Sequence, residues 1–104
     1  MRVSVQNKLN LLQLLQEHKE EILSFGVERV GLFGSFVRNQ ATEKSDVDFI
    51  VEFKEGQKNY DNFINLAFFL EDLLGRKVEL LTQQSISPFL EPEIMKEVES
   101  VIAA

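Results

Sequence analysis

Apolar residues recur at helical spacing from Val5 to Phe25. Leu11, Leu15, His18 and Ile22 share one face, Leu12 and Leu14 reinforce it, and Gln16, Glu17, Lys19 and Glu20 point elsewhere. Gly26 supplies a C-terminal cap, and the segment reads equally well as one helix or two short ones. The pattern then shortens. Val27 to Phe33 is a strand, Gly34 to Asn39 a short helix, and Gln40 to Ser45 a polar loop. Asp46 to Phe53 is a second strand, nearly continuous in apolar residues between its charges, as suits a central strand covered on both faces. Asn59 caps a helix over Tyr60 to Leu74 that Gly75 closes, with Asp61 in its first turn. Its core stripe is Phe63, Leu66, Ala67, Leu70, Leu73 and Leu74. Ile64, Phe68 and Phe69 widen the apolar arc beyond what one sheet face needs, which points to a partner surface. Lys77 to Thr82 is a third strand, and Gln83 to Leu90 is irregular around Pro88. Pro92 opens a last helix with Ile94, Met95, Val98, Val101 and Ile102 in phase.

The predicted order is αβαβαβα, an α/β (α+β) fold with a small mixed sheet flanked by helices, in one domain over residues 1–104. The very short connection between the first two strands suits antiparallel or mixed pairing better than a long crossover. With 44% hydrophobic and 27% charged residues, the 104-residue chain has the composition of a folded globular protein. No cysteine is present, which excludes disulfides, thiolate zinc sites and cysteine nucleophiles and suits a cytoplasmic protein. No apolar run approaches a membrane span, and the N-terminus lacks the build of a signal peptide. The net charge of −6, with scattered Lys and Arg, disfavours a nucleic-acid backbone as partner. It leaves room for a basic protein, or for a nucleotide whose charge is offset by metal ions.

The candidate chemistry lies in two segments, Gly31-Leu32-Phe33-Gly34-Ser35-Phe36-Val37-Arg38 and Ser45-Asp46-Val47-Asp48. Side chains two apart on a strand project from one face, roughly 6–7 Å apart at Cα, so Asp46 and Asp48 point together. Two such carboxylates resist joint ionisation unless a cation lies between them. Mg²⁺ takes hard oxygen ligands, and a pair of ions about 3.5–4 Å apart is the clamp used in phosphoryl and nucleotidyl transfer. Gly34-Ser35 at a strand-to-helix turn offers free N–H groups and a hydroxyl to a phosphate, and Arg38 lies one turn further on. Glu79, the acid inside the third strand, faces Asp46 and Asp48 if that strand lies beside the second. There it completes a metal set and helps deprotonate an attacking hydroxyl. His18 has no partners for catalysis in the chain and reads as a packed, half-buried histidine. The glycine spacing matches neither a dinucleotide fingerprint nor a P-loop.

These motifs, with Gly75-Arg76-Lys77-Val78-Glu79-Leu80-Leu81, closely resemble the signature of the minimal nucleotidyltransferases of the polymerase-beta superfamily, and the resemblance spans nearly the whole chain. In prokaryotes such proteins are often encoded beside HEPN proteins as antitoxins of a toxin–antitoxin pair. The resemblance implies a polymerase-beta-like nucleotidyltransferase fold. Gly34 and Ser35 would hold a triphosphate, Asp46 and Asp48 would bind Mg²⁺, and Glu79 would stand at the third acid, where the family usually has Asp. It further implies transfer of AMP from ATP to a hydroxyl, a tyrosine on a cognate HEPN ribonuclease toxin, within a hetero-oligomer. The alternative is a non-catalytic binding module that neutralises the same partner by occlusion. An aminoglycoside-type transferase is disfavoured, because no acceptor-binding domain follows the third strand.

Overall fold

The computed structural model describes residues 4–104. The N-terminal apolar stretch forms two helices, α1 (Lys8–Glu17) and α2 (Lys19–Leu23). Asn7 caps α1 through its side chain, which accepts from the Asn10 N–H at 2.8 Å. The break falls at His18, whose backbone leaves the helical region (φ −113°, ψ 21°). Leu11, Leu15 and Ile22 are fully buried, while Val5 precedes the helix and bonds through its N–H to the Leu74 carbonyl at 2.9 Å.

Four strands follow: β1 (Val27–Phe33), β2 (Val47–Phe53), β3 (Val78–Thr82) and β4 (Glu99–Ala103). They form one mixed sheet in the order β3-β2-β1-β4. β1 and β2 are antiparallel, as their short connection requires. β2 and β3 are parallel, with helix α3 (Tyr60–Leu74) making the crossover. Asn59 caps α3 and Gly75 ends it in the left-handed conformation (φ 67°), both as the sequence predicts.

The last element departs from the expected helix. Helix α4 covers only Glu91–Glu97, and the chain then extends into β4, antiparallel to β1. Without β4 the buried strand β1 would be a sheet edge with unpaired backbone groups, and the β-branched pair Val101-Ile102 suits a strand. The register shifts between Val30 and Gly31, leaving Val101 as an extra residue on β4. That bulge lets two successive side chains, Val101 and Ile102, both turn inward. Gly31 permits the approach: a Cβ there would lie 2.5 Å from Val98 Cγ1, at the junction of α4 and β4.

α1, α2 and α3 cover one face of the sheet. Their Leu11, Leu15, Ile22, Leu66, Leu70 and Leu74 pack with Val30, Leu32, Val47, Phe49, Val51 and Leu80. On the opposite face a small cluster of Phe33, Ile50 and Ile86 holds α4 through Ile94 and Val98. A 3-10 turn (Gln83–Ser85) lies between β3 and this cluster. The surplus apolar residues of α3 divide. Phe69 packs against Phe25 (ring centroids 5.5 Å apart) and His18 (6.3 Å), so it belongs to the interior, whereas Phe68 is 61% exposed. His18 is half-buried, as expected, with Nδ1 2.6 Å from Glu21 Oε1.

Leu70→Ala is therefore expected to cost about 2–5 kcal/mol by cavity formation, and Phe68→Ser no more than about 0.5 kcal/mol. Urea denaturation of both variants checks this; equal losses would show that α3 is docked on a different face.

Candidate active site

β1 ends on Phe33, and the chain turns at Gly34 with φ +77°. The expected short helix over residues 34–39 is instead a single turn. The Arg38 N–H bonds to the Gly34 carbonyl at 3.3 Å, the Asn39 N–H to Phe36 at 3.2 Å and the Gln40 N–H to Ser35 at 2.9 Å. The last two bonds are the paired closure of a helix end, and Asn39 takes the left-handed position (φ 59°) that the motif demands. Asparagine tolerates this conformation better than most residues, so the turn closes without a glycine at position 39.

Asp48 is the centre of the site. It sits opposite Phe33 on β1 and opposite Glu79 on β3, so the parallel register of β2 and β3 sets the two carboxylates side by side. A side chain on Gly34 would run into Asp48: an added Cβ would lie 2.9 Å from its Cγ. The bare backbone of the turn is thus packed directly on this carboxylate. Asp46 is exposed and lies just before β2, not within it as the sequence suggested.

Burial raises the pKa of Asp48 from 3.8 to about 6, aided by the charge and hydrogen bond of Glu79 and the charge of Asp46, with Arg38 opposing. Asp48 and Glu79 thus face each other across the β2–β3 ladder, while Asp46 acts on Asp48 through its field. Among the described residues, no three acidic, histidine or cysteine side chains converge closely enough to enclose a metal ion in this arrangement.

Sequence position left Arg38 free to reach either the phosphates or an aspartate. Arg38 does not reach an aspartate: its Nη1 donates to both carboxylate oxygens of Glu97, at 3.0 and 2.7 Å, and its Nε to Gln40 Oε1 at 3.1 Å. Glu97 Oε1 also accepts from the Gly34 N–H at 3.1 Å. Glu97 closes α4, and no local spacing announces a contact with residues some sixty positions earlier.

Arg76, just before β3, ties the site together. Its Nε donates to the Val5 carbonyl at 2.7 Å, and its Nη1 to the carbonyls of Thr42 (2.7 Å) and Ser45 (2.9 Å). Its guanidinium lies 5.0 Å from the centre of the buried Phe36 ring. One side chain thereby joins the glycine turn to the loop that delivers Asp46. The Gly75-Arg76 pair was visible in the sequence, but its role depends on a loop thirty residues away.

Further along the same sheet face lies a cavity of about 430 Å³, bordered by Arg29, Ile50, Lys58, Gln83 and Met95; Gly34, Asp46, Asp48 and Glu79 are outside its lining.

Residues 13–101 match the family described as nucleotidyltransferase domain. The chain is 41% identical over 86 residues to the protein adenylyltransferase MntA of Thermococcus cleftensis, covering 82% of this chain and 86% of that one. A solved structure of a candidate minimal nucleotidyltransferase superposes with a TM-score of 0.69 at 34% identity, covering 85% of this chain and 93% of the other. The MNT antitoxin solved with a tri-AMPylated HEPN toxin of Shewanella oneidensis shares the fold, with a TM-score of 0.56 at 19% identity over 86% of this chain and 72% of that one.

Two outcomes follow from the geometry. Because Asp48 holds its proton more tightly when folded, the folded state binds the extra proton between pH 3.8 and about 6 and loses relative stability as pH rises through that window. In chelating buffer, the stability of Asp48→Asn relative to wild type should grow from pH 4 to pH 7; a constant difference in thermal melts would refute the strained carboxylate. Arg76→Met should lower the unfolding free energy by about 2–3 kcal/mol through the lost charge-assisted bonds, as read from denaturant midpoints.

Proposed function

The chain belongs to the nucleotidyltransferase domain family, and from that premise we propose that it transfers AMP from ATP to a hydroxyl, a tyrosine, of a cognate HEPN toxin and acts as its antitoxin. The observation that carries this reading is the Asp48–Glu79 pair, set in register across β2 and β3, with Asp48 packed against the bare backbone of Gly34. The relative named a protein adenylyltransferase and the AMPylated HEPN complex of the same fold support the choice of group and acceptor.

The donors fit the chemistry. The Gly34 N–H, the half-buried Ser35 and the Arg38 guanidinium bind the triphosphate and place its α-phosphorus beside Asp48. Asp46, Asp48 and Glu79 would supply the all-oxygen donors that Mg²⁺ takes once they close up from the present arrangement, in which they do not converge. The chemistry Mg²⁺ would supply when held by these carboxylates is to offset their charge and that building on the phosphate oxygens.

The acceptor oxygen forms a bond to the α-phosphorus, the bond from that phosphorus to the bridging oxygen breaks, and pyrophosphate leaves. The hydroxyl proton passes to the Asp48–Glu79 pair, whose exposed member is Glu79. Glu79 is one methylene longer than the family's usual Asp, and the strand register still sets it beside Asp48. The exposed Phe68 and Tyr60 of α3 supply apolar contact area for a protein that brings its own hydroxyl.

With α-labelled ATP and Mg²⁺, label should pass to a purified cognate HEPN toxin. Asp46→Asn with Asp48→Asn should cut that transfer by at least about 100-fold while the fold survives. Full labelling by the double variant would sink the proposal. Neutralisation of the toxin by that variant, without labelling, would establish occlusion instead.

A further inference from the structure

The turn that offers its donors to a triphosphate is already holding an anion. The Glu97 carboxylate accepts from the Gly34 N–H at 3.1 Å and from Arg38 Nη1 at 3.0 and 2.7 Å. A backbone amide and a guanidinium converging on one anionic group is the chemistry of a phosphate site. Here the protein fills it from a distant element, α4, a seven-residue helix without a side-chain cap. We propose that Glu97 is an internal competitor of the triphosphate, occupying Gly34 and Arg38 in the free protein and yielding them when nucleotide binds.

This rests on the triphosphate role assigned above to Gly34 and Arg38. The electrostatics give the direction. Asp46, Asp48 and Glu79 already crowd this end of the sheet, and Arg38 is the cation whose field opposes theirs at Asp48. A triphosphate brings several more negative charges to the same two donors, so a carboxylate left beside it is repelled. The Glu97 side chain is 27% exposed and Arg38 48%, so water is at hand to take the displaced carboxylate. α4 is held to the sheet by Ile94 and Val98, on its apolar side. Glu97 can therefore swing out without unseating the helix.

A residue that merely props Arg38 would give the opposite sign, because its removal would loosen the site and weaken binding. The test is titration calorimetry of inorganic tripolyphosphate, and of ATP with Mg²⁺, against wild type, Glu97→Gln and Glu97→Ala. Glu97→Gln keeps the shape and removes the charge, and should bind tripolyphosphate about three- to tenfold tighter, the scale of one partly exposed ion pair. Glu97→Ala should also bind more tightly, and Arg38→Ala should bind neither ligand well. Unchanged or weaker binding by both Glu97 variants, with wild type binding normally, overturns the competitor while leaving the nucleotide site standing. If wild type binds neither ligand, the phosphate role of Gly34 and Arg38 fails, and the competitor falls with it.

Discussion

A carboxylate pressed against a bare backbone organises this protein. Asp48 lies in the middle of the sheet, with Phe33 across one edge of its strand and Glu79 across the other, and Gly34 folds over it with no room for a side chain. Burial, with the charges of Glu79 and Asp46, makes the carboxylate costlier to ionise, against the opposing field of Arg38. A sheet selected for stability alone would carry an apolar residue at that position. The strained group is held because its strand is central and its neighbours are tied down, which is the usual condition for a functional acid.

Two arginines divide the work of holding that arrangement. Arg76 is half-buried and spends its donors on backbone carbonyls, so the loop before Asp46 and the turn around Phe36 behave as one piece. Its planar fork is suited to several carbonyls at once, which an ammonium would not match. Arg38 is more exposed and bonds to side chains, Glu97 and Gln40. The first guanidinium is part of the scaffold, whereas the second is exchangeable.

The apolar surface of α3 shows how packing redistributes a pattern. Ile64, Phe68 and Phe69 all exceed the stripe facing the sheet, yet Phe69 is claimed by His18 and Phe25, which flank the two ends of α2. Phe68 is left in the open, with Tyr60 75% exposed at the start of the helix. Helical periodicity separates inside from outside only for the face that meets the sheet. It is blind to a second layer of helices covering the flank.

Local rules determined much of this molecule from its sequence. Asn59 and Gly75 bound α3, β1 runs over the predicted residues, and a short link made β1 and β2 antiparallel, because caps, turns and strand alternation act within a few residues. The acids and the Gly34-Ser35 turn were legible for the same reason. Tertiary structure decided the rest. Val101 and Ile102 fit a helical phase, and only the vacant edge of β1 made them strand, bulged at Val101. The short helix after Gly34 shrank to one turn because Asn39 closes it. Glu97 and Arg76 owe their contacts to residues tens of positions away. The physical reason is that a charge chooses its partner after the sheet has formed, by distance in space, which sequence spacing does not encode.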